Sequence, residues 1–514
     1  MKRDRLPSHA GGEKAVRRFA GALIAAAGLV GGCSLQPVYQ QPAAPVAATF
    51  PSGDAYKSPT ATAASTNTAV PAADIGWREV LSDPRLQRLV EIGLANNRDL
   101  RIAVLTVAQV QAQYRIQRAA LFPQIDAFGD SSRSRTPASI SNTQHAIQTQ
   151  VYSAGLSASW EIDLFGRLQS LSEQALQQYF ATAQARKATQ ILLVSQIADQ
   201  YLTLLSFDEL VAVTQRTLES AQTSYNLTSL QFHTGTGTEL SLREAQTVVE
   251  QAKANYSADI RGRAQAENAL VLLLGQALPA DLPPPVPLEA QAILADIPAG
   301  LPSDLLARRP DIMQAEAVLR GANANIGAAR AAFFPAISLT GELGSASSAL
   351  DRLFQAGSKQ WSFAPSITLP IFNGGSLRAS LDAAKLEKDI NIAQYEKAIQ
   401  SAFREVADGL AARGTYDDQV ASQERFTEAQ QRRLDLSNMR FKSGVDPYLT
   451  VLTAQTDLYN AQQTLVSVRL ARLTNLVDMY RFLGGGWIQR TGDPPRAAED
   501  VGAVGAASTP GWWF

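Results

Sequence analysis

The sequence predicts an α+β membrane protein: a β-barrel shared among several chains and continued by a coiled-coil barrel of long helices. Three observations predict it. A helix–proline–strand junction occurs twice, 212 residues apart. After each junction comes a run of apolar/polar alternation long enough to cross an outer membrane, and then a long stretch nearly free of helix breakers.

The junctions are Arg118-Ala119-Ala120-Leu121-Phe122-Pro123-Gln124-Ile125 and Arg330-Ala331-Ala332-Phe333-Phe334-Pro335-Ala336-Ile337. In each, an Ala-rich helical stretch stops at the proline and a period-two run follows. The offset recurs elsewhere. Asn97-Arg98-Asp99-Leu100 precedes Arg309-Pro310-Asp311-Ile312 by 212 residues, and Leu230 to Gly235 precedes Met439 to Gly444 by 209. Solenoid repeats are only about 20–50 residues long. The chain therefore reads as two fused copies, 77–275 and 303–487, joined by a proline-rich linker at 276–302.

Residues 1–32 read as a lipoprotein signal peptide. Lys14, Arg17 and Arg18 precede an apolar run from Phe19 to Val30, too short to span a bilayer as a helix. Val30-Gly31-Gly32-Cys33 resembles a bacterial lipobox, with Cys33 the lipidated first residue; the alternative is an ordinary cleaved signal. Cys33 is the only cysteine, so an intrachain disulfide or cysteine metal cluster is excluded. Residues 1–32 carry six Lys/Arg and two Asp/Glu, so their removal takes the net charge from −1 to −5. That mild acidity argues against nucleic acid as a partner. Beyond the signal there is no long apolar run, so a membrane crossing requires a closed barrel.

Residues 33–76 are rich in Pro, Ala, Ser and Thr and read as an extended segment with little to pack. Trp77 opens the folded part. Helices are expected over Pro84 to Gly93 and Asp99 to Ala120.

Tyr152, Ala154, Leu156, Ala158, Trp160 and Ile162 alternate with Ser153, Gly155, Ser157, Ser159 and Glu161, aromatics standing near both ends. Trp361, Phe363, Ile367, Leu369 and Ile371 repeat the pattern, with Pro365 and Pro370 placing that strand at an edge or bulge. Polar loops are expected at 131–150 and 345–360. Four strands cannot close a barrel, which needs about eight at least, and open edges are excluded in lipid. If these strands span a membrane, several chains must share one barrel; otherwise they belong to a soluble sandwich.

Leu168 to about Gln231 lacks proline and glycine, which predicts a helix roughly 95 Å long. Leu377 to about Lys442 is similar, interrupted only by Gly409 and Gly414. On the returning helix two apolar seams run side by side, one through Leu449, Leu452, Tyr459 and Val466, the other through Val451, Ala454, Leu458 and Ala461. Two seams call for two packing partners, as in a ring of helices. Gly484-Gly485-Gly486-Trp487 reads as a flexible stop, and 488–514 as a disordered tail ending in Trp512-Trp513-Phe514, for which no role is apparent.

These residues together resemble the outer-membrane factors of bacterial tripartite efflux systems, the TolC/OprM type in its NodT-type lipoprotein branch. The resemblance covers nearly the whole mature chain. It rests on Cys33-Ser34-Leu35, Ala307-Arg308-Arg309-Pro310-Asp311-Ile312, Phe334-Pro335, Leu369-Pro370-Ile371-Phe372, Tyr448-Leu449-Thr450 and Gly484-Gly485-Gly486-Trp487. It implies a homotrimer with a 12-stranded barrel, four strands per chain. It also implies a helical tunnel in the periplasm, an anchor in outer-membrane lipid, a periplasmic adaptor and an inner-membrane RND-type transporter. The expected function is an exit channel for drugs or other small molecules, with no cofactor or metal.

Other readings stay open. A type I protein-secretion outlet has the same architecture, and a periplasmic coiled-coil scaffold would lack the channel. An enzyme is poorly supported: His145 and His233 have no acid partner at a recognisable spacing, and Gly235-Thr236-Gly237 follows a helix rather than the strand a nucleotide loop needs. The turns from Phe232 to Glu239 and Phe441 to Tyr448 are expected at the far periplasmic tips. Gly235, Thr236, Gly444 and Val445 are the candidate adaptor contacts; otherwise these turns only reverse the chain. Asp446 is a candidate periplasmic gate, where three symmetry-related carboxylates would face one another; otherwise Asp446-Pro447 is a helix N-cap pair.

Overall fold

A computed structural model describes residues 34–56, 70–142, 144–294 and 302–493. The principal elements are α1 (Trp77–Val80), α2 (Pro84–Asn96), α3 (Arg98–Ala119), β1 (Gln124–Thr136), β2 (Ile147–Ile162), α4 (Arg167–His233) and α5 (Glu239–Leu274). They continue through α6 (Pro302–Arg308), α7 (Pro310–Ala331), β3 (Ala336–Ser347), β4 (Lys359–Thr368), α8 (Ser376–Lys442) and α9 (Tyr448–Phe482). The signal peptide, Cys33, Ala295 to Leu301 and the chain beyond Asp493 lie outside the described residues.

The chain divides into two compact units. Among the described residues, the first takes in 34–42, Ala108–Ala181 and Glu316–Gln394; the second takes in Ala43–Val107, Thr182–Ala315 and 395–493.

In the first unit the strands form one antiparallel sheet in the order β1-β2-β3-β4. Each junction helix ends four residues before its proline, at Ala119 and Ala331, in a tight turn, and the chain is extended from the residue after the proline. The expected loops at 131–150 and 345–360 shrink to 137–146 and 348–358, because the ladder continues through Thr136↔Ile147 and Ser345↔Lys359. Pairing of backbone groups needs no apolar side chains, so the polar ends of these strands hid them. β4 stops at Thr368, before Pro370, and Pro365 sits on an edge strand of the chain's own sheet.

Residues 34–42 are extended but packed, contrary to the expected lack of contacts. Asn323 donates to the Pro37 carbonyl at 2.8 Å and Arg330 to that of Leu35 at 3.2 Å. The Arg320 guanidinium covers the Tyr39 ring, 5.1 Å from its centroid. On α7, a side chain at Gly327 would lie 2.9 Å from the Gln36 Cα, so only glycine leaves room for this strap.

α4 and α8 each have 67 residues, and the greater part of each, from Thr182 and from Tyr395, belongs to the second unit. Gly409 does not interrupt α8; it makes room for Met479 of α9. The inner seam of α9 (Val451, Ala454, Leu458) packs on Ala245 of α5 and Leu434 of α8. This one seam touches both neighbours, while Leu449 of the other seam is exposed.

Asp83 ties three segments of this unit together. Its carboxylate caps α2 and also accepts hydrogen bonds from Tyr201 on α4 and Gln291 in the linker. The supposed flexible stop is a packed corner. The Gly485 backbone lies under the Tyr480 ring, and the Trp487 ring takes the Arg186 guanidinium at 5.2 Å and the Lys187 ammonium at 5.6 Å. The next residues are ordered as well: Trp77 and Arg78 donate backbone hydrogen bonds to Ile488 and Gln489.

Candidate functional sites

The sheet separates its chemistry by face. Residues paired across strands point to one side, so the register sorts every side chain. One side carries Ile125, Leu156, Trp160, Leu343, Trp361, Phe363 and Ile367. These apolar side chains are exposed, Trp361 at 78% and Ile367 at 70%. The other side carries Ser and Thr together with Asp126, Asp130, Glu161 and Glu342. Among the described residues no helix is long and apolar enough to cross a membrane. The apolar sheet face is the surface with the composition and strand length of a barrel wall. Both outer strands present unpaired edges, and every residue of β4 is exposed.

The two candidate tip turns share one backbone design. After α4, Gly235 takes φ +76°, its N–H donating to the Phe232 carbonyl and that of Thr236 to Gln231. After α8, Gly444 takes φ +72°, its N–H donating to Phe441 and that of Val445 to Arg440. This pair of bonds around a left-handed residue is the Schellman closure of a helix. A side chain added at either glycine would meet nothing within 4 Å. Val445 is 62% exposed and so is Leu230. The turns offer free surface, and each is closed on its own helix end.

The turns differ in how the next helix starts. Thr238 caps α5, its Oγ1 accepting from the Ser241 N–H at 3.2 Å. At the equivalent place α9 has Pro447 as N-cap, with no side-chain cap bond. Asp446 therefore does not cap, contrary to one of its two expected roles. Its carboxylate instead takes a two-pronged bond from Arg440, at 2.6 Å from Nε and 2.8 Å from Nη2. That guanidinium holds the Asp446 carboxyl below the usual carboxylate range. Lys442, four residues before Asp446, is not the partner. Arg440 was missed because the pair is formed across the Schellman turn, six residues apart. The first turn has Gln231 and Gly237 at these positions and forms no such pair.

The histidines stay apart from any constellation: among the described residues no group of three or more His, Cys, Asp or Glu side chains is arranged to hold a metal. The sites described above are exposed surfaces, one sheet face and two turns.

Comparison with known proteins points the same way. The family model described as Outer membrane efflux protein matches residues 89–276 and again 301–485. The "Toluene efflux pump outer membrane protein TtgC" of Pseudomonas putida is 50% identical over 93% of this chain and 97% of its own. The "Antibiotic efflux pump outer membrane protein ArpC" of the same species matches to the same extent. The open-state crystal structure of the MtrE outer membrane channel of Neisseria gonorrhoeae superposes with a TM-score of 0.79. It is 40% identical, and the match covers 89% of this chain and all of that one.

Proposed function

We infer the function from one premise: the chain belongs to the Outer membrane efflux protein family, whose model matches it over two long segments. It is the outer-membrane component of an efflux pump. The finer reading is ours. Three chains each contribute four strands to a single barrel, and their helices continue it as a tunnel. Each chain is anchored through an acylated Cys33. Its partners are a periplasmic adaptor, received at the Gly235 and Gly444 turns, and an inner-membrane RND-type transporter. Its cargo is small apolar molecules, among them aromatic solvents and antibiotics, a choice supported by the names of the relatives. Those names also favour efflux over a protein-secretion outlet.

The observation that carries this reading is the sheet with an exposed apolar face, a polar opposite face and two open edges. In lipid such a sheet must be closed by copies of itself. The helices support sharing as well. α3 buries only Leu100 and leaves Ile102, Leu105 and Ile116 exposed by 59–73%, whereas α7, equally 22 residues long, buries Ile312, Leu319 and Ile326. A bare helix in one repeat, where its counterpart in the other is covered, is what a neighbouring chain would complete.

The test is reconstitution. Cross-linking of the purified protein should stop at three chains, planar bilayers should show discrete conductance, and expression should restore toluene and antibiotic tolerance to a strain lacking its own outlet. A stable inserted monomer, or trimers that do not conduct, would overturn the reading.

A further inference from the structure

The charged residues of the sheet are divided between its faces. All four acids stand on the polar face, and the three bases, Arg133, Arg135 and Lys359, stand on the apolar face. They occupy one end of it, beside the turns 137–146 and 348–358. Along β4 the apolar face runs Ile367, Pro365, Phe363, Trp361 and then Lys359. On β2 it passes through Leu156 to Tyr152, and then to Gln150 and Gln148, which lie directly opposite Arg133 and Arg135. The sequence down the wall is therefore apolar band, aromatic ring, cations.

Arg133 and Arg135 are two residues apart on one face, so their side chains leave the strand roughly 7 Å from each other. Both are exposed, as is Lys359, and none of the three has an ion-pair partner among the described residues. Across residues 131–150 and 345–360 four bases (Arg133, Arg135, Arg352, Lys359) face one acid, Asp351, a net charge of +3 in a chain whose net charge is −1. A cation on a lipid-facing wall is costly unless it meets an anion at headgroup level. Guanidinium forks suit phosphate oxygens, and the Gln148 amide adds a donor beside them.

We propose that this patch binds the phosphate groups of a phosphorylated glycolipid in the outer leaflet, clamping the barrel wall to its annular lipid. The inference rests on the barrel reading above, because that reading makes this sheet face lipid-exposed and its turn end external. Closing β4 on β1 of a neighbouring copy would bring Lys359 of one chain to the same seam as Arg133 and Arg135 of the next. The clamp would then also fasten the joint between chains.

The experiment uses full-length trimers in detergent, titrated with a hexa-acylated glucosamine disaccharide lipid bearing two phosphates. Its dephosphorylated form and phosphatidylglycerol serve as the comparison probes, and native mass spectrometry counts the bound lipid. Wild type should hold the bisphosphorylated lipid at least tenfold more tightly than either comparison probe. The triple variant Arg133→Gln, Arg135→Gln, Lys359→Gln should lose that preference while keeping its trimers and its conductance. Trimers that conduct but bind all three lipids alike would overturn the clamp and leave the channel standing, as would a triple variant that keeps the preference. Failure of wild type to form inserted trimers would overturn both.

Discussion

Asp446 and Arg440 form a two-pronged ion pair across the turn between α8 and α9, the side chain of Asp446 being only 19% exposed and that of Arg440 58%. A gate of three carboxylates would therefore carry its own counter-ions. The gating proposal now turns on whether Arg440 releases Asp446. Arg440→Gln should free the carboxylates and raise cation selectivity in planar bilayers. Asp446→Asn should lower it and leave the guanidinium unpaired. If the double variant and both single variants conduct as wild type, the pair only fastens the turn.

Gly235 and Gly444 should tolerate substitution structurally and not functionally. Their left-handed backbone makes any other residue costly by about 1–2 kcal/mol, yet an added side chain meets no neighbour. Gly235→Trp and Gly444→Trp should thus still give trimers in the membrane, while drug efflux falls at least tenfold if an adaptor docks there. Full resistance with either variant would place the adaptor elsewhere.

The long helices were legible because Leu168 to Gln231 contains no residue that interrupts a helix. The junctions were legible because Pro123 and Pro335 each follow an Ala-rich run and precede a clean alternation. Less was visible where local pattern and tertiary contact disagree. Arg133 and Arg135 read as loop, yet they lie in β1, whose ladder is set by its partner. Gly485 reads as part of a flexible stop, yet it is small because the Tyr480 ring covers it. The Asp446 carboxylate reads as a gate or a cap, and it is taken by a guanidinium that helical spacing does not indicate. In each case the deciding atom belongs to a residue that no local window marks as a neighbour.

Asp199 should make the protein more stable in mild acid than at neutral pH. Its Oδ1 is shut off from solvent without a hydrogen-bond partner. Burial pushes its carboxyl up to about 7, Asp478 adding to the shift and Arg481 and the Ser195 hydroxyl opposing it. Unfolded, it titrates near 4. Between those values the folded chain holds a proton that the unfolded chain lacks, so stability is lost as pH rises from about 4 to about 7. The cost of ionisation is on the order of 2–4 kcal/mol per chain. Asp199→Asn should flatten the dependence of Tm on pH and raise Tm at pH 8 but not at pH 4. Parallel profiles for the two proteins would show that Asp199 is not the group responsible.

Cys33 should be found acylated at the mature N-terminus by mass spectrometry. The chain that follows it is held against α7 by Asn323 and Arg330, so the anchor hangs from a fixed strap. Cys33→Ala should still assemble, because strands and helices supply the contacts between chains. A mature protein that begins at another residue without modification would contradict the anchor.

Asp83 should be the most sensitive polar position in the second unit. It is 4% exposed, and each of its oxygens serves two donors. Oδ1 accepts from the backbone N–H of Arg85 at 2.7 Å and of Leu86 at 3.4 Å; Oδ2 accepts from Tyr201 Oη at 2.8 Å and Gln291 Nε2 at 2.7 Å. Tyr201→Phe removes one donor and leaves the carboxylate three others, a loss of about 1–2 kcal/mol. Asp83→Ala removes the cap and strands two buried donors, about 3–5 kcal/mol in sum. Asp83→Asn keeps an oxygen for the cap and offers an amide that the Tyr201 hydroxyl can accept, so it should fall between the two. Urea unfolding of the three variants should therefore rank Tyr201→Phe above Asp83→Asn above Asp83→Ala. Because Gln291 is tied to the same carboxylate, Asp83→Ala should also expose the linker around it to protease before the helices unfold. If Asp83→Ala is no less stable than Tyr201→Phe, the carboxylate is not the fastening that joins α2, α4 and the linker.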